Sequence, residues 1–217
     1  MFLLDKNEIS FPDPAVYDGH EGILAVGGDL SVERMLFAYQ LGLFPWFNPG
    51  EEILWWCPDP RFVLFPNELK ISKSMKKILK SGKFTFTENQ NFEEVINNCQ
   101  KIGRKDQNGT WLSEELKESF MYLHQLGYAK SVEVWENNEL VGGFYGMQIG
   151  KVFCGESMFA KVSNASKAGF IYFIEKYKND LAIIDCQSHT NHLESLGARM
   201  IPKKGFLKIL YDTQHES

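Results

Sequence analysis

The chain has little of the chemistry by which enzymes are usually recognised. Its four cysteines, Cys57, Cys99, Cys154 and Cys186, never stand in a Cys-x-x-Cys or Cys/His spacing. That excludes a zinc ribbon and points to reduced thiols in a cytoplasmic protein. Five histidines, His20, His124, His189, His192 and His215, show no ligand spacing beyond the His189/His192 pair, which has no carboxylate ladder beside it. No metal is expected. There is no Gly-x-Ser-x-Gly elbow, no phosphate-binding Gly-x-x-x-x-Gly-Lys-Ser/Thr loop, no Gly-x-Gly-x-x-Gly and no His-Glu-x-x-His. Any reaction must therefore start from a substrate that is already activated. Nowhere do about 18 apolar residues follow one another, and the start, MFLLDKNEIS, has no basic run before an apolar one, so a soluble and unexported protein is expected. Internal repeats are absent, and the one biased stretch is a polar tail over Asp212 to Ser217.

What is present is enough for a real core. At 217 residues and 44% hydrophobic, the chain can hold one main domain and a lesser one. A formal net charge of −5 argues against non-specific coating of nucleic acid, yet it leaves room for a local basic patch.

The pattern reads as mixed α and β. Ser31 can cap a helix that Gly42 ends near Leu41. Between Phe44 and Arg61 four prolines and three tryptophans hold aromatic faces on stiff backbone. Trp46, Trp55 and Trp56 there either seal a small core or form a binding wall. A strand over Arg61 to Phe65 precedes ISKSMKKILKSG, whose Ile71, Met75, Ile78 and Leu79 share one helical face and whose Lys73, Lys76, Lys77 and Lys80 share another. That stripe is either a solvated surface or a contact for a polyanion. A strand at Lys83 to Thr87 and a helix at Phe92 to Ile102 follow; Ser113 then begins another helix, stopped by Gly127. Trp111, at that loop-to-helix junction, either staples the helix or lines a cleft.

The stretch from Ser131 to Phe159 reads as a three-stranded antiparallel meander turning at Asn137-Asn138 and Gly150. It ends at Gly155-Glu156-Ser157-Met158, where one carboxylate stands in apolar company and must be paired or used. A strongly apolar helix over Ala168 to Tyr177 then leads to the buried strand Leu181 to Cys186, an arrangement that requires a crossover. Asp185 and Gln187, two residues apart at that strand's end, should project from one face while Cys186 points the other way. A short helix over His192 to Leu196, a strand over Arg199 to Pro202 and a turn or two of helix over Gly205 to Tyr211 complete the chain.

Taken in order, FPDP, GILAVGGDLS, FPWF, ILWWCPDPR, SVEVW, LVGGFYG, FCGESMF, NASK, IDCQ, SLGA and IP resemble the bacterial leucyl/phenylalanyl-tRNA–protein transferases from about Phe11 to Leu210. The resemblance implies an α+β fold. A small N-terminal domain, residues 1–63, would sit on a GCN5-related acyltransferase-like domain with a mixed sheet, residues 64–217. It implies transfer of Leu or Phe, and Met to a lesser extent, from aminoacyl-tRNA to proteins beginning with Arg or Lys, marking them for degradation. The enzyme would be a cytoplasmic monomer that needs no cofactor, metal or membrane. By motif, Asp185, Gln187 and Glu156 would be catalytic; Trp46, Trp111, Phe144, Phe153, Phe173 and Ile184 would line or border the aminoacyl pocket; Lys73, Lys76, Lys77 and Lys80 would hold the tRNA. The chain departs from the family in having Cys57 where Ser is usual, Lys for Arg on the basic helix, Phe144 where Met is common, and a short end after the IP motif. An acetyl-CoA-dependent acetyltransferase is the rival enzyme, but its Gln/Arg-x-x-Gly-x-Gly/Ala motif is missing. A non-catalytic tRNA-binding module is the rival outside enzymes, favoured by the lysine stripe alone.

Overall fold

The computed structural model describes residues 1–101 and 112–214. Among them, β1 (Phe2–Leu4), β2 (Ile23–Gly27), β3 (Phe44–Pro45) and β4 (Leu54–Trp56) form a four-stranded sheet in the order β1-β2-β4-β3. Between β2 and β3 runs α1 (Val32–Gln40), capped as expected by Ser31, whose Oγ accepts from Arg34 N. Gly42 follows with φ +82°. A Cβ there would stand 2.8 Å from Leu207, so this glycine both ends the helix and admits a close neighbour.

A seven-stranded sheet holds the rest. Its members are β5 (Arg61–Leu64), β6 (Thr85–Glu88), β7 (Ala129–Glu136), β8 (Glu139–Ile149), β9 (Val152–Ala160), β10 (Ile183–Gln187) and β11 (Arg199–Ile201), in the order β11-β5-β10-β9-β8-β7-β6. β9 and β10 are parallel, joined over α5 (Ala165–Tyr177), while the other neighbours are antiparallel. The sheet is therefore mixed, with the expected meander at its centre. Asn137 and Asn138, at φ +53° and +63°, close the β7–β8 hairpin in the backbone region that a two-residue turn requires.

Helices cover both faces. One hydrophobic core lies where the small sheet, α1, α3 (Phe92–Lys101), α4 (Glu114–Gln125) and α7 (Lys203–Thr213) meet one face of the large sheet. A second core lies on the other face, under α5 and α2 (Lys73–Lys80). The remaining helix, α6 (Asn191–Glu194), is a single turn. No helix among the described residues is long and apolar enough to cross a membrane.

Two elements differ from the sequence reading. α7 runs for 11 residues, about three turns rather than one or two, because Phe206, Leu207 and Leu210 recur at helical spacing and all are buried. It extends into the stretch expected as a polar tail, where Lys208 pairs with Asp212 one turn on. The third meander strand runs to Ala160, one residue past the expected Phe159, and carries at Glu156 an irregularity that shapes the candidate site.

Candidate active site

Two irregularities on neighbouring strands bring the polar residues together. On β8 and β9, Gly146 pairs with Gly155 and Tyr145 with Ser157, so Glu156 is the extra residue of a β-bulge. Gly146 makes the close approach possible, since a Cβ there would lie 2.2 Å from the Cys154 carbonyl oxygen. On β10, Asp185 pairs with Val63 and Gln187 with Phe62 on β5, which leaves Cys186 as an extra residue. Gln187 then takes φ +60°, a left-handed conformation uncommon outside glycine.

Such a conformation costs about 1–3 kcal/mol unless its surroundings hold it. Here Gln187 N donates to Asp185 Oδ1 at 2.9 Å, and Gln187 Nε2 donates to Glu156 Oε1 at 2.7 Å. Asp185 is gripped in turn. Arg61 Nε donates to Asp185 Oδ1 at 2.8 Å and Arg61 Nη2 to Oδ2 at 2.6 Å, with both side chains at most 1% exposed. The guanidinium also lies between two rings, 4.7 Å from the centroid of Phe44 and 4.5 Å from that of Phe206. Arg61, Asp185, Gln187 and Glu156 are thus one hydrogen-bonded string across β5, β10 and β9. At its far end the Tyr39 hydroxyl of α1 faces Glu156, and the buried Tyr145 hydroxyl has no hydrogen-bond partner among the described residues.

Burial sets the electrostatics. It pushes the Glu156 carboxyl up to about 8; the Asp185 charge adds to this, while Tyr39, Gln187 and Arg61 hold it back. Glu156 is ringed by protein atoms yet keeps part of its surface open. Burial also works against the Arg61 charge, and the Asp185 carboxylate more than restores it. Tyr39 and Tyr145 are raised well above the usual phenol range, first by burial and then by the charges of Glu156 and nearby groups. All four cysteines are buried, and burial raises each thiol, Cys99 to about 12. None is poised as a nucleophile.

The string accounts for three of the residues expected to be catalytic. Gln187 does not meet Asp185 by simple strand alternation, because the bulge breaks the period of two; the contact is made through its backbone turn. Phe144, Phe153, Phe173 and Ile184 lie together in the second core, the three rings with centroids 4.6–6.0 Å apart. Asp185 faces the other way, since Phe44 and Phe206 around its partner Arg61 belong to the first core. Trp46 is 38% exposed, with its ring centroid 5.3 Å from that of Trp56. Trp111 lies outside the described residues. Lys73, Lys76, Lys77 and Lys80 are all exposed on α2, whose start is capped by Ser72 Oγ accepting from Met75 N. A surface hollow of about 360 Å³ at the start of α3, lined by Asn89, Gln90, Phe92 and His124 among others, includes none of these residues.

Comparison with known proteins bears on what the string is for. The model of the leucyl/phenylalanyl-tRNA protein transferase family matches residues 63–211, and that of its N-terminal domain matches residues 28–59. The chain belongs to this family. A leucyl/phenylalanyl-tRNA–protein transferase of Flavobacterium johnsoniae is 56% identical over 97% of this chain and 99% of its own length. Another, of Pectobacterium atrosepticum, is 47% identical over 99% of this chain and 91% of its own. Solved structures align more distantly. A GCN5-related N-acetyltransferase-like protein from Streptococcus suis shares 12% identity and a TM-score of 0.38 over 65% of this chain and 57% of its own, a level that carries no functional argument. As a member of the leucyl/phenylalanyl-tRNA protein transferase family the chain is a transferase, and Glu156, Asp185 and Gln187 fall within the larger matched span.

Arg61, Tyr39 and Tyr145 were missed in the sequence reading. The signal for Arg61 was there: one cation opening the apolar run RFVLF and one carboxylate inside LAIIDC each need a buried partner. For the two tyrosines the pattern holds no such signal, because hydrophobic spacing assigns them to the core.

Proposed function

We propose that the chain moves Leu or Phe, and Met to a lesser extent, from aminoacyl-tRNA to the N-terminal α-amine of proteins that begin with Arg or Lys, tagging them for degradation in the cytoplasm. Family membership supports aminoacyl transfer as the reaction class. The observation that carries the site is the string Asp185–Gln187–Glu156, a set of positioned polar groups with no reactive nucleophile among them.

The chemistry fits such a site. An aminoacyl ester is already activated, and an α-amine with an ordinary pKa near 7.7–8.0 is neutral in a useful fraction at cytosolic pH. Positioning can then supply most of the rate. The amine nitrogen bonds to the ester carbonyl carbon, the bond from that carbon to the ribose oxygen breaks, and the nitrogen's proton ends on the departing ribose hydroxyl. Gln187 Nε2 is taken by Glu156, which leaves Oε1 as the acceptor for the attacking amine. A side-chain amide is no base, so its part is to orient the amine. The Asp185 charge favours positive charge developing on nitrogen. No acyl-enzyme, metal or cofactor is called for.

The same reading has Trp46, Trp111, Phe144, Phe153, Phe173 and Ile184 line or border the aminoacyl pocket, the last four from the second core behind the sheet face that carries Asp185, with Leu, Phe or Met fitting where side chains branched at Cβ do not. Lys73, Lys76, Lys77 and Lys80 hold the tRNA backbone on one exposed helix face. The working unit is a monomer of two parts, 1–63 and 64–217, with β5 crossing that boundary to pair in the larger sheet. Incubation with leucyl-tRNA and an Arg-initiated peptide tests the reading. Salt-sensitive labelling of the peptide is expected. No labelling, with acetyl-CoA consumed instead, would overturn it.

A further inference from the structure

We infer that Arg61 is a positioning residue for transfer: its guanidinium, clamped between Phe44 and Phe206, fixes the Asp185 carboxylate so that Asp185 holds Gln187 in the left-handed turn that presents its amide to Glu156. This rests on the reading of Asp185 and Gln187 as the working pair.

Three observations converge on it. Arg61 meets Asp185 as a planar fork, Nε on Oδ1 and Nη2 on Oδ2, and so fixes the rotation of the carboxylate as well as its place. The oxygen that takes Arg61 Nε also takes the Gln187 backbone N–H. Turning the carboxylate would remove that acceptor and release the φ of +60°. The clamp is also assembled from distant segments: Arg61 opens β5, Phe44 stands on β3, Phe206 on α7 and Asp185 on β10.

A purely structural role explains less. Buried ion pairs are often matched or bettered in stability by apolar residues of similar volume, so stability alone gives little reason for this one. Three N–H groups hold the two oxygens of Asp185. Asp185 then serves the transfer through the shape it imposes on Gln187 as well as through its charge. Arg61 is what keeps that shape.

The test is Arg61→Lys, which keeps the charge and loses the fork. Amide hydrogen exchange should show protection at Gln187 falling about tenfold or more while Ile183 and Ile184 keep theirs. Single-turnover transfer of Leu should slow about tenfold or more with KM for leucyl-tRNA held within about twofold. Placed in an Asp185→Asn background, the same change should add less than about twofold. Unchanged protection at Gln187, a proportionate loss in KM and kcat, or fully additive losses would each overturn the inference. Should Arg61→Lys fail to fold, Phe206→Leu thins one face of the clamp and should lower Gln187 protection in the same direction; no change there overturns it equally. A wild-type protein that transfers no Leu sinks the functional reading and leaves the exchange measurement to decide on the clamp.

Discussion

Glu156 carries the pH dependence of the site, because burial and the neighbouring Asp185 charge raise its carboxyl from the ordinary 4.5 to about 8. Between those values the folded chain keeps a proton that the unfolded chain has released. The stability tied to Glu156 is therefore complete below about pH 4.5 and is lost as pH rises through about 8. Glu156→Gln is neutral throughout, so its denaturation midpoint should change less between pH 5 and 8.5 than that of the wild type. Parallel pH curves for the two proteins, measured by urea unfolding, would remove Glu156 from this role. At this scale the sequence was partly legible. Asp185 inside LAIIDC and Glu156 among apolar neighbours both announced themselves as charges needing a use. Arg61, opening RFVLF, carried the same signal, but its partner is 124 residues away and could not be named. The contact between Gln187 and Glu156 was hidden too, since it depends on two bulges that a period-two pattern cannot show.

Among the elements, α2 was the most legible, since the spacing of Met75, Ile78 and Leu79 against four lysines leaves one arrangement, apolar face in and lysines out. Its cap at Ser72 contributes about 1 kcal/mol in helices generally, so the stripe stands on a helix with a defined start. Changing Lys73 and Lys77 together to Gln should weaken tRNA binding and reduce the slope of log K against log salt by about 1.5, at roughly 0.7–0.9 for each phosphate that the side chains no longer neutralise. An unchanged slope in a salt titration would place the tRNA on another face. Because both side chains are exposed, the thermal midpoint should move little. The meander was legible for the same reason as α2, its alternation and turn residues agreeing with each other. α7 was read too short: its polar C-terminal residues resemble a tail until Phe206, Leu207 and Leu210 are seen packed beneath α1 and Gly42.

Over the whole molecule, the first core runs from the small sheet to one face of the large one, and Arg61 stands near the join with an aromatic partner from each side. The candidate site is therefore built by the packing of distant parts, which explains why motifs scattered from FPWF to IDCQ had to be taken together before they pointed anywhere. A net charge of −5 is compatible with a tRNA substrate because α2 gathers four exposed lysines into a local basic patch. On the proposed reading, Asp185 and Gln187 serve the transfer step and not the binding of tRNA. The most direct measurement compares Asp185→Asn with the wild type in single-turnover transfer of Leu from leucyl-tRNA to an Arg-initiated peptide, alongside the Kd for the same tRNA. The transfer rate should fall about a hundredfold with Kd held within about twofold; equal losses in rate and affinity would remove Asp185 from the transfer step.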